Sequence, residues 1–182
     1  QRTIQWDLGD SFLNRRSDDY GGTPEKRARF ALEVVEAMMQ HYPPSRVGMR
    51  ISPFSDYNGA IDPDPTPAYR FLLKTLNQDR LGWLELADTS FWYGRVERSR
   101  MLDLAKPVFD GKIFANGGID PPTANELIAG GLVDAVSFGR LWMANPDLPE
   151  RIRRGGPYAK AITKRFYGGG ADGYNDFPAL NH

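Results

Sequence analysis

Asn116-Gly117-Gly118 and Phe138-Gly139-Arg140 are the residues of this sequence best suited to holding a ligand. Each group closes a short apolar run, Lys112-Ile113-Phe114-Ala115 in the first case and Ala135-Val136-Ser137-Phe138 in the second. Glycine at such a position lets the main chain approach a ligand and turn successive N–H groups towards an anion. A helix start after each run adds partial positive charge, and Arg140 can grip a phosphate through two N–H groups. Ordinary strand-to-helix turns with a surface arginine are the plainer alternative, and they explain one such turn better than two in succession. The pair therefore predicts a phosphate site, with both turns on a single phosphomonoester.

Arg50 ends a further apolar run and points its guanidinium towards the same end of the strands. A cation there can hold the electron-rich edge of a reduced ring system. The alternative is an ion pair with a neighbouring carboxylate, Glu85 or Asp88. Phe91-Trp92-Tyr93 follows the next run and suits a pocket wall or lid, or simple packing on the rim. Phe166-Tyr167-Gly168-Gly169-Gly170 suits neither a helix nor a central strand, so tertiary contacts must hold that tail. Other chemistries find little material. There is no Cys, and the two His, His41 and His182, stand far apart, which argues against a thiolate nucleophile, a disulfide framework, a His triad or a metal centre. No Lys stands at an evident strand end to form a Schiff base, so a barrel lyase is the weakest reading. A net charge of +0 gives no reason to expect nucleic acid or an anionic membrane as partner. No apolar run reaches the roughly 18 residues of a membrane span, and a cytoplasmic location is expected.

The elements that must position these residues alternate helix and strand. Thr23-Pro24 reads as a helix cap with proline at the first helical position, and apolar residues then recur at helical spacing to Tyr42. Val47–Ile51 is the first strand. Thr66-Pro67 repeats the cap device, and Trp83–Ala87 is the second strand. A helix from about Val96 to Val108 leads to the third strand, Lys112–Ala115. Asp120-Pro121 caps the next helix, Ala135–Phe138 is the last strand, and Asn145-Pro146 opens a short terminal helix. Near-continuous apolar strands between helices indicate a parallel sheet covered on at least one face, in a barrel or an open sheet. The 182 residues suffice for one domain, organised as an entry segment over 1–22, four βα units over 23–156 and a tail over 157–182. Four strands would supply half of an eight-stranded barrel, leaving two bare edges and a curved apolar face. Such a chain is expected to pair with a complementary N-terminal half or with a second copy of itself.

Several segments resemble one family in order along the chain. Asn14-Arg15-Arg16-Ser17-Asp18-Asp19-Tyr20-Gly21-Gly22, with Arg27-Ala28-Arg29-Phe30, is similar to a stretch of the Old Yellow Enzyme family. Val47–Pro53, Asn116–Ile119, Asp134–Arg140, Ala144–Leu148, Phe166–Gly170 and Gly173–Pro178 resemble its later motifs. The resemblance implies the C-terminal half of a TIM (β/α)8 barrel that binds FMN, with NADPH or NADH as reductant. Reduced flavin then passes a hydride from N5 to an activated alkene such as an enone or nitroalkene. It also implies roles: Arg50 beside the flavin N1–C2 carbonyl edge, and Asn116, Gly117, Gly118, Gly139 and Arg140 on the phosphate. Phe166 would border the flavin, Tyr167 would face the substrate as the catalytic-site tyrosine, and Phe91 or Trp92 would shape the pocket. The family's substrate-anchoring His lies upstream of the Asn-Arg-Arg motif, so turnover is expected to need the N-terminal half. A half-barrel that binds flavin or phosphate, or serves as a scaffold, without turnover is the alternative expectation.

Overall fold

The computed structural model describes residues 14–55, 62–90, 94–162, 164, 170–173 and 176–180. By internal packing the chain divides into two compact units, Gln1–Val136 and Ser137–His182.

In the first unit, helix α1 (Pro24–Met39) begins where Thr23, in extended conformation, accepts a hydrogen bond from the Lys26 amide at 3.4 Å. A short 3-10 turn at Pro44–Arg46 leads into β1 (Gly48–Ile51). There follow α2 (Thr66–Gln78), β2 (Trp83–Ala87), α3 (Arg98–Ala105), β3 (Lys112–Asn116), α4 (Pro121–Ala129) and β4 (Ala135–Val136). All strands are parallel and lie in chain order, β1-β2-β3-β4, with Arg50 opposite Glu85, Glu85 opposite Phe114 and Phe114 opposite Ala135. Strand followed by helix, with each new strand laid beside the last, is the pattern expected of a barrel arc.

The period of two along each strand separates the faces. Met49, Ile51, Leu84, Leu86, Ile113 and Ala115 are buried with Val35, Leu72, Leu76, Met101 and Leu104 of the helices in one apolar core. The alternate residues, Gly48, Arg50, Trp83, Glu85, Phe114 and Asn116, occupy the other face. The sequence led us to expect that face to be apolar. It is mixed instead: Trp83 stacks on Phe114 with ring centroids 5.2 Å apart, while Arg50 forms an ion pair with Glu85. Gly48 is required under the indole, because a Cβ there would lie 1.9 Å from the Trp83 ring.

Three local expectations are corrected. Thr66 is inside α2 and caps nothing; Pro65 is the cap residue, and Asp64 Oδ1 accepts from the Thr66 amide at 3.3 Å. The last strand is Ala135–Val136, without Ser137 and Phe138. Its partner β3 leaves the ladder one residue beyond Ala115, where Gly117 turns the chain at φ +104°. In the second unit, Asn145-Pro146 does not open the terminal helix. A five-residue helix α5 (Arg140–Ala144) comes first, and α6 (Leu148–Arg154) starts after Asp147. Asn145, fully buried, instead donates to the carbonyls of Leu141 and Ala159 and accepts from the Ala159 amide.

In the second unit one buried side chain reaches three separate segments. Arg151, 5% exposed, pairs with Asp147 and donates to the carbonyls of Pro157 at 2.9 Å and Pro178 at 2.8 Å. Asp147 also accepts from the Leu180 amide at 2.7 Å, and its carboxyl lies below the usual carboxylate range, chiefly because of the hydrogen bond from Arg151. No helix among the described residues is long and apolar enough to cross a membrane.

Candidate functional site

Arg50 near the end of β1, Glu85 in the middle of β2 and Asn116 at the end of β3 are brought together. Arg50 Nη1 lies 2.9 Å from Glu85 Oε1, and Arg50 Nη2 donates to Asn116 Oδ1 at 3.0 Å. Of the alternatives raised for Arg50, the ion pair with Glu85 is the one present, and the guanidinium remains 46% exposed. An arginine half in solvent with its fork already anchored is pre-oriented for an electron-rich partner.

Beyond Asn116 the chain makes two successive left-handed steps, Gly117 at φ +104° and Gly118 at φ +60°. Gly117 is fixed by space as well as by torsion, because a Cβ there would come within 2.1 Å of the Asp88 carbonyl oxygen. Asp120 then caps α4, its Oδ1 accepting from the Thr123 amide at 2.9 Å. The hydrogen bond from the Thr123 side chain, and then the one from its amide, hold the Asp120 carboxyl below its ordinary value.

Sequence reasoning missed the support of this turn. Asp88, 1% exposed, donates its amide to the Asn116 carbonyl at 2.9 Å and accepts from the Glu97 amide at 2.8 Å. Burial pushes its carboxyl above the ordinary value, against the opposing effects of the Glu97 amide and the Arg98 charge. Arg98 in turn donates to the Gly117 carbonyl at 3.2 Å. The available signal was a charged residue directly after the apolar run of β2, weighed only as a partner for Arg50.

Gly139 and Arg140 belong to the second unit. Gly139 has φ −96°, an ordinary value for any residue, and a Cβ built on it meets nothing within 4 Å. Among the described residues, local packing therefore gives no reason for glycine at 139. Arg140 is partly buried at the start of α5. Phe91, Trp92, Phe166 and Tyr167 lie outside the described residues.

The segment Asn14 to Gly22 is folded by its own hydrogen bonds. Asn14 is buried and donates to the Tyr20 carbonyl at 2.8 Å, and Asp18 accepts from the Tyr20 amide. Arg27, also buried, pairs with Asp62 at 3.2 Å.

With that geometry in place, comparison with known proteins is decisive. Residues 9–158 match the model of the NADH:flavin oxidoreductase / NADH oxidase family. The chain belongs to that family. Among curated relatives, a putative 12-oxophytodienoate reductase 5 of Oryza sativa subsp. japonica is 36% identical over 173 residues, covering 92% of the chain and 46% of the relative. A probable flavin mononucleotide-dependent alkene reductase of Leishmania infantum is 36% identical over 177 residues, covering 95% and 48%. Among solved structures, morphinone reductase in complex with tetrahydroNAD superposes with TM-score 0.83 at 34% identity, over 98% of this chain and 47% of that one. The old yellow enzyme from Trypanosoma cruzi gives TM-score 0.88 at 28% identity, over 98% and 47%. The chain thus spans about half the length of the relatives it matches. Its parallel strands and helices match half of the TIM barrel of the old yellow enzymes, the half anticipated from the motifs.

Proposed function

We propose that the protein to which this chain contributes is an FMN-dependent NAD(P)H oxidoreductase that reduces activated alkenes, enones or nitroalkenes among them. The observation that carries the reading is the convergence of Arg50 and Asn116 at the strand ends, directly before the Gly117-Gly118 turn, in a chain of the flavin oxidoreductase family. Relatives named as alkene and 12-oxophytodienoate reductases, and a structural neighbour holding tetrahydroNAD, support the substrate class and a nicotinamide reductant.

The residues present suit the cofactor. Arg50, anchored by Glu85 and Asn116, would offer its guanidinium to the carbonyl edge of the flavin. The amides of Gly117 and Gly118 would take the phosphate, and Gly139 and Arg140 are proposed phosphate residues on the resemblance of their motif. When bound, FMN supplies hydride transfer between nicotinamide and alkene. This chain's own contribution is to bind and orient: fixed main-chain donors and a pre-placed cation need no reorganisation when negative charge develops. Tyr167 is proposed to face the alkene, Phe166 to border the flavin, and Phe91 or Trp92 to line the pocket. A complementary N-terminal half-barrel, or a second copy of the chain, is the proposed partner.

The test is to produce the chain with the N-terminal half of a relative and purify the complex. A yellow complex whose flavin is bleached by NADPH or NADH and recoloured by cyclohexenone supports the reading. A folded complex without flavin absorbance refutes it. Flavin retained without recolouring by any alkene leaves a flavin-binding half-barrel that does not turn over.

A further inference from the structure

The turn proposed to hold phosphate is gripped from behind. Asn116 and Gly117 share one peptide, whose carbonyl accepts from the Asp88 amide at 2.9 Å. Gly117 and Gly118 share the next, whose carbonyl accepts from Arg98 Nη2 at 3.2 Å. In a trans peptide the C=O and N–H point in opposite directions. Fixing the two carbonyls therefore aims the N–H groups of Gly117 and Gly118 away from Asp88 and Arg98. The positive φ of both glycines is what lets consecutive peptides be fixed in this way.

Stability alone does not account for the arrangement. Asp88 is 1% exposed and its Oδ1 finds no hydrogen-bond partner, and Arg98 Nε is buried and likewise unpartnered among the described residues. An unmet hydrogen bond on a buried carboxyl such as that of Asp88 costs stability, and an apolar side chain of similar volume would avoid that cost. What the pair does supply is orientation and charge. A cation on the Gly117 carbonyl polarises that peptide and strengthens its N–H as a donor to an anion.

We propose that Arg98, with Asp88, is the positioning residue of the Gly117-Gly118 turn, holding its peptides so that two N–H groups present to the phosphomonoester of the flavin nucleotide. The inference rests on the FMN reading above and deepens it. Arg98 does not touch the cofactor; it acts through the turn.

The test compares FMN with riboflavin, which lacks the phosphate, in the assembled protein. Arg98→Met lowers FMN affinity about tenfold, the size expected for losing one charge-assisted hydrogen bond. Riboflavin affinity stays at the wild-type value. Arg98→Lys, which keeps the charge and one donor and should disturb folding least, gives an FMN-to-riboflavin ratio between the two. The positioning role is overturned if both variants keep the wild-type ratio, or if FMN and riboflavin weaken together. Should Arg98→Met fail to fold, the ratio in Arg98→Lys alone decides. A wild-type protein that binds neither flavin, or both equally, overturns the phosphate assignment itself, which separates that failure from failure of the brace.

Discussion

Replacing Arg151 by methionine is expected to loosen the C-terminal segment at both of its feet. The guanidinium is 5% exposed and spends its donors on Asp147, on the Pro157 carbonyl and on the Pro178 carbonyl. Hydrogen bonds to a charged group contribute about 1.5–3 kcal/mol each, so three treated as independent would total roughly 4.5–9 kcal/mol. That sum is too large. The three share one donor group and are not additive, and Pro157 and Pro178 are exposed, so their carbonyls recover water. Asp147, 22% exposed, is also partly rehydrated. The remaining cost is about 3 kcal/mol, at the low end of what breaking a buried pair costs. Methionine keeps most of the volume, so the loss reports the hydrogen bonds and not a cavity. Urea unfolding measures it globally. Amide exchange at Leu180, whose N–H is held by Asp147, measures it locally and should lose roughly two orders of magnitude of protection. A variant within about 0.5 kcal/mol of wild type, with Leu180 still protected, would refute the reasoning.

Asp134 accepts from Lys112 and from the Ile113 amide, chiefly through the lysine hydrogen bond, and its carboxyl is held below its ordinary value of 3.8. Its contribution is therefore complete above the unfolded value and lost as pH falls through the lower folded value, so Asp134→Asn should flatten the acid limb of an unfolding-midpoint profile. The two glycines should separate fold from ligand. Gly117→Ala, at φ +104° and 2.1 Å from the Asp88 carbonyl, should cost about 2 kcal/mol or more in thermal or urea unfolding. Gly139→Ala meets no atom within 4 Å, so unfolding should be unchanged while FMN titration shows weaker binding. Unchanged FMN affinity would remove Gly139 from the phosphate site.

Much of the first unit was legible because its determinants are local. The Thr23 and Asp120 caps each act within three residues, and the apolar strands bury alternate residues whatever lies beyond them. Thr66 was misplaced because an acidic residue two positions earlier, Asp64, already satisfies the helix start. Ser137 and Phe138 looked like strand because apolar content says nothing of where the neighbouring strand departs. Asn145 read as a helix opener, yet its side chain reaches Ala159, a contact that no local pattern encodes. Arg50 and Asn116, singled out by strand-end position and residue type, do meet in a hydrogen bond. The Asp88–Arg98 support was not singled out, because it joins two loops through main-chain carbonyls that every residue possesses.

The strand pleat has an evolutionary consequence. On β1, Met49 and Ile51 anchor the helices while Arg50 between them faces the other way; Leu84 and Leu86 flank Glu85 likewise, and Ile113 and Ala115 flank Phe114. Mutation can therefore retune charge or shape on one side without thinning the hydrophobic layer on the other. Charge can be varied at Arg50 and Glu85 without removing the apolar contacts of their strand neighbours, whereas a one-residue insertion in any of these strands would exchange the two sides.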